Sequence, residues 1–350
     1  MKFHPFLRLL LLPLIVCQFL PSPRAATALP NSEQTTFASD GNRILFLGDS
    51  ITQAGLYVSL IETYLWARYP DREVTIVNMG VSAETVSNTT EPNHSPRPWV
   101  HDRVDQAMEI AKPDWVFICY GMNDGNYYPP RRDIQDAYLH QLDRLLDRIA
   151  PSGAKVVLLS PPPFDPTSKP TKNLLPPGEE IYGYHLTYQH YDDTLSNLAG
   201  LALGAFSDRV HQFIDIHTPL KNYITLARKG DPDYEYGDGV HPPSDGHMAF
   251  ALAILEALGE NQDTAYNVLR NLVGIQLKTD PREATATADQ TKLRADLAHR
   301  FDTLSKVYRE NTLPATRSMP PNLPSAIQTA NRQETQLRKT IKEKTSTLTQ

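Results

Sequence analysis

Short runs of consecutive apolar residues alternate along this chain with longer stretches whose apolar positions recur every three or four residues. An unbroken apolar run suits a strand buried on both faces, and the three-to-four spacing suits one face of a helix. Five strands are predicted: 44–47 and 115–120 are apolar throughout, and 74–78, 155–160 and 210–216 are apolar segments that include polar positions. The helical spacing predicts segments at 54–69, 104–111, 134–149, 182–199 and 247–258, with Ser244 or Asp245 as the N-cap of the last. Regular alternation of strand and helix means crossover connections. The expected architecture is therefore α/β, a mainly parallel five-stranded sheet with helices on both faces.

The pattern changes at both ends. Lys2 and Arg8 flank the start of an apolar run at 9–20, and Ala26-Thr27-Ala28 offers small residues for a signal-peptidase cut. This predicts a secretory signal peptide over 1–28, and so a secreted or periplasmic protein. The run falls short of the roughly 20 residues a bilayer span takes, so no stable membrane span is expected after cleavage. A polar, turn-rich lead-in at 29–41 precedes a main domain at 42–260. Two further amphipathic helices are predicted at 264–277 and 292–308, within a helical extension at 261–312. From 313 to 350 prolines give way to Thr, Gln, Lys and Arg with few apolar residues, a polar tail expected to be flexible or a lone helix.

Composition narrows the function classes. The chain has 350 residues, 40% of them hydrophobic, and a formal net charge of -6. Its basic residues are scattered except near the C-terminus, which argues against a nucleic-acid partner. Of two cysteines, Cys17 would leave with the signal peptide and Cys119 lies in an apolar run, where it reads as a buried small hydrophobe.

In parallel sheets of this kind ligands bind at the carboxyl ends of the strands. The segments that follow the first, second, third and fifth predicted strands are Gly48-Asp49-Ser50-Ile51-Thr52, Asn78-Met79-Gly80, Gly121-Met122-Asn123-Asp124 and Asp238-Gly239-Val240-His241. Together they contain a complete acyl-transfer set. A serine hydroxyl is a weak nucleophile until a base takes its proton, and His241 can serve Ser50 in that way. Asp238, three residues earlier, is close enough to steady the imidazole. The backbone N–H groups of Ser50 and Gly80 and the side-chain amide of Asn123 are candidate donors to an oxyanion. Each group also has a bland reading: Ser50 as a helix cap, Gly80 and Gly121 as turn glycines, His241 as a loop histidine, and Asp49 and Asp124 as residues that shape turns.

Four such blocks in one order resemble the SGNH, or GDSL-type, hydrolase family: GDSIT with Ser50, NMG with Gly80, GMND with Asn123, and DGVH with Asp238 and His241. The resemblance runs from about 43 to 258 and does not include the C-terminal extension. It implies a three-layer α/β/α, flavodoxin-like fold and an esterase or acylhydrolase activity with no metal or organic cofactor. The family's nucleophile carries over to Ser50, its oxyanion groups to Gly80 and Asn123, and its acid and base to Asp238 and His241. Ile51 stands where the motif that names the family has Leu.

Export and the aromatic loops at 127–130, 161–164 and 182–191 favour a small-molecule or carbohydrate ester as substrate, with deacetylation as the first expectation; ordinary loop packing is the other reading of those aromatics. The competing expectations are a lipase or lysophospholipase, a non-catalytic carbohydrate-binding protein on the same fold, and a metal phosphohydrolase built on Asp49, Asp238 and His241.

Overall fold

The computed structural model describes residues 37–282, 285–313 and 323–348. The expected signal peptide lies outside them. Five parallel strands form the main sheet: β1 (Arg43–Gly48), β2 (Thr75–Asn78), β3 (Trp115–Cys119), β4 (Lys155–Leu159) and β5 (Gln212–Ile214), in the spatial order β2-β1-β3-β4-β5. Successive residues of each strand point to opposite faces, so each run feeds two cores. Ile44, Phe46, Trp115, Phe117, Val157 and Leu159 meet one helical layer, while Leu45, Leu47, Val116, Ile118, Val156 and Leu158 meet the other.

The first layer includes α2 (Leu56–Arg68), which follows the short α1 (Ser50–Ala54), together with α7 (Ser244–Ala257). The second contains α3 (Val104–Ala111), α4 (Arg132–Ile149) and α5 (Tyr191–Phe206). The fold is thus three-layered, as expected. Chain direction across the sheet reverses between β1 and β3, the place where such sheets open a crevice. Gly48 pairs with Cys119 there, which sets the loops after β1 and β3 side by side.

Several elements depart from the sequence reading. The single helix expected at 54–69 is two, because Gly55 adopts a left-handed conformation (φ 75°) and ends α1. The helix expected at 182–199 begins only at Tyr191. Tyr182 and Tyr188 instead pack edge-on to each other, and Tyr182 on Tyr128, beside a two-residue ladder that pairs Leu174–Leu175 with Thr187–Tyr188. Helix α6 (His217–Gly230) was not anticipated, although Leu220, Tyr223, Ile224 and Ala227 carry the helical spacing. Ser244 and Asp245 lie inside α7 rather than capping it. Asp245 accepts hydrogen bonds from the Tyr223 and Tyr234 hydroxyls.

The C-terminal extension forms α8 (Gln262–Val273), α9 (Ala288–Glu310) and α10 (Leu323–Leu348). The expectation of a flexible or lone tail fails over 323–348: α10 packs on α9 and α2 and buries Ala330, Leu337 and Ile341. Arg300 of α9 bridges Glu62 of α2 and Glu334 of α10, and the guanidinium groups of Arg300 and Arg338 each lie 4.9 Å from the Trp66 ring centroid. Helix α9 also lies against β2, covering an edge that would otherwise offer unpaired backbone groups.

Candidate active site

The first block turns sharply off β1. Asp49 is the N-cap of α1, and its Oδ1 accepts the Ile51 N–H at 2.9 Å. Burial pushes its carboxyl up to about 7, against the opposing effects of the Ile51 N–H and His241. Ser50 is the first residue of α1, so its own N–H has no acceptor within the helix. Gly48 is required by the crossing: a Cβ there would stand 2.2 Å from Thr52 Oγ1 and 2.8 Å from the Cys119 carbonyl oxygen.

The last block is a loop tied through its own carboxylate. Asp238 Oδ1 accepts the backbone N–H groups of Val240 (3.0 Å) and His241 (2.7 Å). Oδ2 is left facing His241 Nδ1 at 3.0 Å, and His241 Nε2 stands 2.8 Å from Ser50 Oγ. With Nδ1–H donating to the carboxylate, Nε2 is the acceptor for the serine hydroxyl. Gly239 (φ +85°) donates its N–H to the Tyr236 carbonyl at 3.0 Å and leaves room at its Cα: a Cβ would meet the Asp165 carbonyl oxygen at 2.5 Å, and the Asp165 N–H bonds the Gly239 carbonyl at 2.8 Å. Asp165 is in turn clamped by Arg228 and Ser168, so the loop after β4 and α6 together hold the block.

The charges of this pair support each other. The bond to Asp238 holds the His241 imidazole above its ordinary range, although burial opposes it. Burial would raise Asp238, but the bonds from the His241 side chain and backbone and from Tyr184 outweigh it and hold the carboxyl below the usual range.

The oxyanion candidates are placed unequally. Asn123 is buried. Its Oδ1 accepts from Arg97 Nη1 (3.0 Å) and the Tyr127 hydroxyl (3.1 Å), and its Nδ2 donates to the Glu84 carbonyl (3.2 Å). One of the two amide hydrogens is thereby used and the amide plane is set. The Gly80 N–H is engaged by Asn78 Oδ1 at 2.9 Å, a partner the sequence reading did not foresee. Glycine at 80 has a packing reason too, since a Cβ would fall 2.3 Å from the Gln53 nitrogen. Asp124 shapes turns, as expected: Oδ1 accepts from the Val86 and Ser87 N–H groups and Oδ2 from that of Gly121. Among the described residues no group of three or more His, Cys, Asp or Glu is placed to hold a metal ion. Among them, also, no helix is long and apolar enough to cross a membrane.

The sequence reading missed Arg97 and Glu91, and it placed Tyr184 only within an aromatic stretch, without its bond to Asp238. The buried Arg97–Glu91 pair closes at 2.6 Å behind Asn123, and Tyr184 donates its hydroxyl to Asp238 Oδ2 at 2.6 Å. No local pattern marks the bonds of Arg97 to Asn123 and of Tyr184 to Asp238, because those partners lie 26 and 54 residues apart. Most of the aromatic residues expected to line a cleft pack instead: Tyr127, Tyr128, Phe164, Tyr182 and Tyr191 are all buried.

A serine, a histidine and an aspartate in hydrogen-bonded sequence at the carboxyl rim of a parallel α/β sheet is an arrangement suited to acyl transfer, and the family match makes the protein a carboxylic ester hydrolase. The chain belongs to the GDSL-like lipase/acylhydrolase family, whose model matches residues 46–249. It is 26% identical over 240 residues to an acetylxylan esterase of Geobacillus stearothermophilus, a match that covers 63% of this chain and 94% of that protein. Among solved structures, an acetyl-xylooligosaccharide esterase of that organism matches at 22% identity and a TM-score of 0.48, over 64% of this chain and 97% of its own. A gut microbial diltiazem-metabolizing enzyme matches at 19% identity and a TM-score of 0.46, over 63% of this chain. The present chain spans 47% of that enzyme's length.

Proposed function

We propose that the protein is an exported serine esterase that cleaves carboxylic esters through an acyl-enzyme, with acetyl groups on carbohydrate as its substrate class. The observation that carries the mechanism is the relay of Ser50 Oγ, His241 Nε2 and Nδ1, and Asp238 Oδ2, at 2.8 and 3.0 Å. The substrate class is supported by the acetylxylan esterase, which is matched over nearly its whole length. Export is supported by the charged and apolar pattern at 1–28.

In this reading Ser50 Oγ attacks the ester carbonyl carbon as His241 Nε2 takes its proton. The carbonyl oxygen becomes an oxyanion, held by the Ser50 N–H and the free amide hydrogen of Asn123, with the Gly80 N–H as a third donor shared with Asn78. Collapse breaks the bond to the alcohol oxygen, which leaves with the proton from His241. Water then gives a proton to His241 and its oxygen to the acyl carbon. Release of the acid returns that proton to Ser50, so one ester and one water become one acid and one alcohol. Asp238 stays ionised and steadies the imidazolium.

Steady-state hydrolysis of p-nitrophenyl esters of two, four, eight and twelve carbons, with Ser50→Ala alongside, tests this. The variant should lose kcat by roughly 10⁵-fold or more, and the two-carbon ester should be preferred. A wild type no faster than Ser50→Ala on every ester would end the esterase reading, and a preference for twelve carbons would replace the deacetylase with a lipase.

A further inference from the structure

We infer that Tyr184 is a positioning residue for the reaction, its hydroxyl locking the carboxylate oxygen of Asp238 that receives the imidazole N–H. The inference rests on the serine mechanism proposed above and adds to it a group from outside the four sequence blocks.

Asp238 is only partly shielded by the fold. Its side chain is 43% exposed, so water has access to it. Oδ1 is occupied by two N–H groups of its own loop, whereas Oδ2 has one lone pair for His241 Nδ1 and a second to fill. Tyr184 fills it at 2.6 Å, a short bond to a charged acceptor. A hydroxyl on a held ring stays in place where a water would exchange.

Contacts of the ring and of the backbone hold the residue in place. The ring meets Tyr127 edge-on with centroids 5.6 Å apart, Lys169 Nζ lies 4.5 Å from its centroid, and the backbone N–H faces Glu91 Oε1 at 3.4 Å. Tyr127 also donates its hydroxyl to Asn123 Oδ1, and Glu91 pairs with Arg97, which bonds the same oxygen. Contacting side chains thus run from the carboxylate of Asp238 to the amide of Asn123.

The chemistry has a sign. A neutral donor on Oδ2 keeps the negative charge on Asp238 and makes that carboxylate a weaker base, so the shared proton stays on Nδ1. Without the hydroxyl the carboxylate would attract the proton more strongly, and His241 would titrate at higher pH. The groups that act on His241 besides Asp238 and Ser50 are Asp49 at the head of α1, Lys169 in the loop after β4, His247 in α7 and the Tyr184 ring. Tyr184→Phe leaves all of them in place.

The test uses the mature full-length chain. kcat and KM for p-nitrophenyl acetate are followed against pH for wild type and Tyr184→Phe, and the His241 imidazole is titrated by NMR in both. Loss of one such bond should lower kcat about tenfold, leave KM within about twofold, and raise both the acid limb and the NMR midpoint by roughly 0.3–0.5 pH unit. Tyr184→3-fluorotyrosine, a more acidic phenol in the same place, should move both midpoints down. An unchanged midpoint in the phenylalanine and fluorotyrosine proteins overturns the inference. A raised KM at unchanged kcat also overturns it, since Tyr184 would then be a substrate contact. The NMR midpoint needs no turnover, so a failure of the esterase reading and a failure of this inference give different results.

Discussion

At the scale of single residues, the proposed active site has buried charge set one step behind Asn123. Arg97 and Glu91 are 6% and 3% exposed and form a bidentate pair, and Arg97 Nη1 donates to Asn123 Oδ1 and to the Ala83 carbonyl. A cation on the amide oxygen polarises the group and would strengthen its N–H as a donor to the oxyanion of the proposed mechanism. Lysine keeps the charge but cannot bond both Glu91 oxygens and Asn123 together. Arg97→Lys is therefore expected to lower kcat about tenfold with KM within about twofold, measured by steady-state kinetics on the two-carbon ester. A fall in KM-limited binding alone would assign Arg97 to the substrate rather than to Asn123. Melting temperature should drop as well, because a buried pair with imperfect geometry no longer offsets its desolvation.

At the scale of elements, the site needs close approaches that only particular backbones allow. The turn after β2 lies directly on the last residues of α1, where a Cβ on Gly80 would stand 2.3 Å from the Gln53 nitrogen and 2.6 Å from the Thr52 carbonyl carbon. Both obstacles are backbone, so neither can rotate away. Gly80→Ala should lower stability by about 2–4 kcal/mol, read from the urea midpoint, and should depress kcat because α1 begins with Ser50. A midpoint equal to wild type would mean that the turn and α1 can separate without cost. The Asp238 loop is held in a similar way, through Gly239 against Asp165.

At the scale of the whole molecule, the C-terminal helices complete the fold and leave the reacting groups to the sheet. α10 buries Ala330, Leu337 and Ile341, and Glu334 shares Arg300 with Glu62. Deleting 323–350 would return these apolar side chains to water and leave the Glu62–Arg300 pair partly uncovered. The expected loss is about 2–4 kcal/mol after chain ordering is set against burial, or a melting temperature lower by roughly 5–10 °C. kcat on the two-carbon ester, measured well below the melting range, should stay within about twofold of wild type. An unchanged melting temperature would show that α10 adds nothing to the folded state.

The sequence by itself determined the parts of this protein that depend on neighbours along the chain. Mainly apolar segments placed the five strands within a residue or two, because a strand covered on both faces by helices buries most of its side chains. The four blocks after those strands marked Ser50, Gly80, Asn123, Asp238 and His241, because the carboxyl ends of parallel strands share one rim. The Asp238–His241 bond was legible for the same reason, being closed within one short loop. Tertiary structure decided whatever rests on distant partners. Only the folded chain brings Tyr184 to Asp238, Arg97 to Asn123 and Arg300 to Glu62, and it gives the Gly80 N–H a partner in Asn78. It also decided the fate of the polar tail: α10 is too sparsely apolar to hold itself, and its few buried side chains count only because α2 and α9 are there to receive them.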